Sequence, residues 1–167
     1  MKHGSPDDAF LKAFEDCTLP FDQWKHRAHL KVAYLYLREL PFDQALTKVR
    51  ENIQRYNAAT NTPETLERGY HETMTVAWLR LVDFTLREYG PAESADAFLD
   101  AQEQLLNRRA LRFFYSGELL ISRQAKAEFV EPDLTPFPIS AKQTKVGETS
   151  NTSPHTRDPQ SSSLSSE

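Results

Sequence analysis

Glycine and cysteine are scarce in this sequence: its 167 residues hold five glycines and a single cysteine. It has no Gly-rich phosphate loop and no G-x-S-x-G elbow, so nucleotide-binding and α/β-hydrolase readings fall. Cys17 alone cannot close an internal disulfide, which suits a reducing cytoplasm. No apolar run approaches the roughly 18–20 residues of a membrane helix. The start, MKHGSPDDAF, lacks the basic and apolar stretches of a secretory signal. Basic charge is short as well. Twenty Lys and Arg against 24 Asp and Glu leave a net charge of −4, which argues against a protein that grips phosphate backbones. The expectation is a soluble, cytoplasmic chain with neither a membrane nor a nucleic acid as partner. No motif in it specifies an oligomeric state.

Apolar residues make up 39% of the chain and aromatics 11%, enough to fill a core and to exclude disorder throughout. They are unevenly spread. The last aromatic is Phe137, and residues 139–167 are rich in Ser and Thr with only scattered apolar side chains. Such a segment cannot offset the roughly 1–2 kcal/mol per residue needed to order its backbone. The expected division is therefore an α-helical domain over 1–138 and a disordered tail over 139–167.

Within the domain, apolar residues recur at three- and four-residue spacing and no strand-like alternation persists. The spacing predicts an all-α single bundle of five to seven helices. They run over about 7–16, from after Pro20 to Leu40, 42–59, 70–89, 94–106 and 109–120, with a short one near 122–129. Pro41 and the pair Gly90-Pro91 stop the second and fourth helices. Pro132, Pro136 and Pro138 force an extended strap that Leu134 and Phe137 can pin to the bundle.

Three histidines fall inside this bundle, on the two helices expected at its centre. His26 and His29 are three residues apart on one helix surface. His71 and Glu72 open the fourth helix, which is apolar almost all round and therefore buried. Antiparallel packing could bring the two pairs together. Three neutral imidazoles suit one divalent transition metal such as Zn, Fe or Cu, with Glu72 as fourth ligand, orienter or general base. That site would leave a coordination position open for a small-molecule substrate. The paired E-x-x-H motifs of di-iron bundles are missing, so that plan is disfavoured. The alternative is a non-catalytic binding or accessory module in which the same His/Glu network only organises the core.

The segments carrying these residues are F-E-x-C-T-L-P over 14–20, W-x-H-R-x-H-L over 24–30 and G-Y-H-E-T-x-T over 69–75. F-Y-S over 114–116 and F-V-E-P-D-L over 129–134 complete the set. Together they resemble a widespread family of uncharacterised, mostly bacterial helical proteins. The resemblance spans about residues 10–138 and implies a single cytoplasmic domain with little said of its chemistry. His26, His29, His71, Glu72, Thr73 and Thr75 all lie in these segments.

Other residues are weaker candidates. Trp24, Tyr70 and Trp78 lie close to the histidines and could wall a pocket, with Thr73 and Thr75 on its rim. Thr73 and Thr75 are expected chiefly to bond backbone carbonyls or a histidine. Cys17, next to Asp16, reads as a free structural thiol rather than a nucleophile. Arg108, Arg109 and Arg112 read as a solvated face, with recognition of an anion as the functional alternative.

Overall fold

The computed structural model describes residues 4–140. Among them there are seven α-helices and no strand, as the periodicity predicts. The helices are α1 (Pro6–Glu15), α2 (His26–Glu39), α3 (Phe42–Ala59), α4 (Glu72–Tyr89), α5 (Ala95–Ala101), α6 (Gly117–Leu120) and α7 (Arg123–Ala127). No helix among the described residues is long and apolar enough to cross a membrane.

Local chemistry explains most boundaries. Ser5 caps α1 in a reciprocal capping box with Asp8. α1 ends where Cys17 adopts a left-handed φ of 57°, so that thiol sits at a backbone turn. Pro41 separates α2 from α3. Gly90, with φ 80°, closes α4. Ser94, Ser116 and Ser122 each accept a backbone N–H at the start of α5, α6 and α7.

Three expected helices, the second, fifth and sixth, are shorter than their periodicity suggests. The second starts at His26, because Phe21–Gln23 forms a separate 3₁₀ turn after Pro20. α5 stops at Ala101, and 3₁₀ turns over Glu103–Leu106 and Arg108–Phe113 replace the continuous helices expected there. The run Phe113-Phe114-Tyr115 explains the sixth in part. Three consecutive aromatics cannot share one helix face, and here Tyr115 is fully buried while Phe113 is left exposed.

α2 is the central helix. It packs most extensively on α4 and also on α3 and α5. Leu30, Val32, Tyr34 and Tyr56 are fully or almost fully buried, and α4 adds Val76, Leu79 and Val82. The expected placing of the second and fourth helices at the centre holds. The proline-rich segment after α7 runs as a strap. Tyr115 donates its hydroxyl to the Val130 carbonyl at 2.8 Å, and Phe137 packs on Phe114 at 4.9 Å. The packed chain reaches Ser140, which is buried and donates to Glu88 at 2.5 Å. The rest of the expected tail, 141–167, lies outside the described residues.

Candidate functional site

Each bundle histidine takes a backbone partner. His26 Nε2 donates to the Leu105 carbonyl at 2.9 Å, and its ring meets Trp78 edge-on at 4.5 Å. His29 Nδ1 donates to the Lys25 carbonyl at 2.9 Å, and its ring lies 3.9 Å from that of Trp24. Trp24 in turn stacks on Phe14 at 4.5 Å. His71 is the N-cap of α4. Its Nδ1 accepts the Met74 N–H at 3.2 Å, and its Nε2 donates to the Leu120 carbonyl at 2.9 Å. That pair of bonds defines the neutral Nε2–H tautomer.

Burial keeps these rings neutral. It lowers the pKa of His29 to about 4, against the opposing pull of the Lys25 carbonyl and with help from the charges of His26 and Arg108. Burial likewise lowers His26 and His71, although the carbonyls of Leu105 and Leu120 favour their charged forms.

The metal centre expected from His26, His29, His71 and Glu72 does not assemble. Among the described residues no group of three or more His, Cys, Asp or Glu is arranged to hold a metal ion. The donor chemistry gives the reason. Both ring nitrogens of His71 are committed to backbone groups, and His26 and His29 each retain only one lone pair. Glu72 faces a different neighbour, Arg50 of α3. Arg50 Nε donates to Glu72 Oε2 at 3.1 Å and Nη2 to Oε1 at 2.5 Å, while the Tyr70 hydroxyl donates to Oε2 at 2.6 Å.

The other expected pocket residues also separate. Trp24 joins the Phe14–Tyr56 aromatic cluster, and Trp78 packs on His26. Thr73 is fully buried; it donates to the Glu128 carbonyl at 2.9 Å and accepts from the Val130 N–H at 3.1 Å, tying the strap to α4. Thr75 donates to the His71 carbonyl at 2.8 Å, the backbone role expected of it. Arg108, Arg109 and Arg112 are exposed on a 3₁₀ turn.

Tyr70 and Glu72 alone among the expected residues line a cleft of about 990 Å³. α3 supplies Arg50, Gln54 and Ala58, a row at four-residue spacing. The loop between α3 and α4 supplies Thr62, Glu64, Thr65 and Leu66, and α7 with the start of the strap supplies Arg123, Lys126 and Phe129. The loop is held tightly. Both Glu64 oxygens accept the Tyr70 N–H, at 3.0 and 3.1 Å. Lys126 Nζ reaches across to the carbonyls of Arg68 (2.9 Å) and Tyr70 and lies 3.6 Å from Glu64. Gly69 permits this path with φ 89°, and a Cβ there would fall 2.2 Å from Glu64 Oε2.

Arg50, Glu72 and Tyr70 form a hydrogen-bonded triad at the cleft. Glu72 is only 12% exposed, so burial pushes its carboxyl upward. The hydrogen bonds from Arg50 and Tyr70, with the Arg50 charge, outweigh that and hold it below its usual range. Tyr70, half-buried and bonded to the carboxylate, is raised well above the usual phenol range and keeps its proton. Comparison with family models, curated proteins and solved structures yields no match to this chain. The functional reading rests on this geometry.

Arg50, Gln54, Arg123 and Lys126 are the residues that sequence reasoning passes over. The signal for α3 is the polar row 50, 54, 58 beside the buried stripe of Val49, Ile53 and Tyr56. Nothing local marks Arg123 or Lys126, because α7 reaches the cleft only through the fold.

Proposed function

We propose that this protein is a non-catalytic helical binding module that takes a small molecule in the cleft between α3, the 60–71 loop and α7. The observation that carries the reading is the cleft itself, of about 990 Å³, with a hydrogen-bonded triad and apolar walls. That is near the upper size of ligand sites, roughly 300–1,000 Å³, where a few placed polar groups orient the ligand. The histidines serve the fold in this reading. No buried side-chain nitrogen or oxygen among the described residues lacks a hydrogen-bond partner, so the polar network is complete as a structural element.

Acid–base catalysis finds little support at the cleft. A general base works best with a pKa near the working pH. Glu72 is instead held as an anion, and Tyr70 retains its proton. A cytoplasmic setting agrees with the single free thiol, Cys17.

A thermal-shift screen of small molecules against the protein and its Ala58→Trp variant tests this. Ala58 is exposed on the cleft wall, so the indole would fill the space without disturbing the core. A true ligand at a hundred times its Kd adds about 2.7 kcal/mol to stability. Ligands should stabilise the parent and not the variant. Stabilisation that persists in the variant would place binding elsewhere and overturn the reading.

A further inference from the structure

Given the cleft as binding site, we infer that its ligand is an amphipathic anion: an apolar body ending in one carboxylate or phosphate group. The three carboxylates that line the cleft are already served. Glu72 accepts from Arg50 and Tyr70, Glu64 from the Tyr70 N–H with Lys126 beside it, and Glu128 from the Gln124 amide at 2.8 Å. Three cations face these three carboxylates, and the pairs Arg50–Glu72 and Lys126–Glu64 leave Arg123 and Glu128 without an ion-pair partner among the described residues. Arg123 lines the cleft, is exposed, and has no ion-pair or hydrogen-bond partner among the described residues. Arg50 turns Nε and Nη2 to Glu72 and is still 37% exposed.

Glu128 accepts from Gln124, so Arg123 is the charged group of the lining that has no hydrogen-bond or ion-pair partner among the described residues. Guanidinium groups suit carboxylate and phosphate oxygens through paired N–H bonds. The walls supply the other half of the recognition. Leu66, 49% exposed, presents its side chain at the cleft, and Phe129, Ala58 and Ala127 continue the apolar lining. Glu72 acts here as a positioning residue, since its two bonds fix the plane of the Arg50 guanidinium. A cationic ligand would meet Arg50 and Arg123 at close range.

The test uses four matched probes on the full ¹⁵N-labelled chain: 4-phenylbutyrate, 4-phenylbutyl phosphate, 4-phenylbutanol and 4-phenylbutylamine. Amide shifts at Leu66, Arg123 and Phe129 report occupancy of the cleft. The expected result is that an anion binds at least about tenfold more tightly than the alcohol, and the amine more weakly than either. The tighter of the two anions identifies the terminal group. Arg123→Gln should remove most of that preference with no change in melting temperature, and Arg123→Lys should restore part of it. Equal binding of alcohol and anions, or a preference that survives Arg123→Gln, overturns the anion inference and leaves the cleft as a binding site. Absence of cleft shifts with all four probes overturns both.

Discussion

His29 is the residue whose environment is most legible in a measurement. Its folded pKa of about 4 lies below the ordinary 6.5, so the unfolded chain takes up the proton first as pH falls. Stability should therefore be full above about pH 6.5 and decline toward pH 4, by up to about 1.4 kcal/mol per pH unit for one such histidine. His26 and His71, lowered by the same burial, act in the same direction. Urea midpoints measured from pH 7.5 to 4.5 should fall accordingly. His29→Phe, which keeps a ring against Trp24, should flatten the slope; an unchanged slope would refute the assignment. Gly69 offers a second test at this scale. Gly69→Ala places a Cβ in the left-handed region and against Glu64, so it should cost roughly 1 kcal/mol or more. The same change should weaken any ligand of the cleft, because the 60–71 loop is displaced.

Between elements, two polar links bind the bundle. Arg50–Glu72 joins α3 to α4. Arg50→Met leaves a carboxylate that is 12% exposed with only Tyr70 as partner, and should destabilise by about 2 kcal/mol. A figure below that of a fully buried pair follows from the 37% exposure of Arg50. The double variant Arg50→Met, Glu72→Met should recover most of the loss in chemical denaturation, since it removes the stranded charge. Thr73 joins α4 to the strap. Thr73→Val preserves shape but strips the Glu128 carbonyl and Val130 N–H of their partner, at about 2–3 kcal/mol. Hydrogen exchange should then rise over residues 128–137 before it rises in α2; uniform loss of protection would mean that the strap is not separately held.

For the molecule as a whole, the strap is part of the folded unit. Arg80 lies over the Phe129 ring at 4.5 Å, the Ser116 N–H donates to Asp133 at 2.7 Å, and Phe137 covers Phe114 and Tyr115. A chain ending at Ala127 should lose its cooperative melting, whereas one ending at Ser140 should melt within about 2 °C of the full chain. Equal melting of the two would show that the strap contributes nothing.

The class of the fold and most helix limits follow from the sequence by itself. Apolar spacing, proline geometry and serine caps act within a few residues, and α3 matches its expected span of 42–59. The burial of α2 and α4 follows in the same way from composition around the helix. What each inward polar residue bonds to is a different matter, because only the packing of distant segments decides it. His71 caps α4 through Met74, three residues on, but the partner of its other ring nitrogen, Leu120, lies 49 residues away in sequence yet beside it in space. Glu72 met Arg50, 22 residues earlier, rather than a histidine. The cleft exists only because α7 and the 60–71 loop close against α3, and helix phase and crossing, which set that closure, are properties of the assembled bundle.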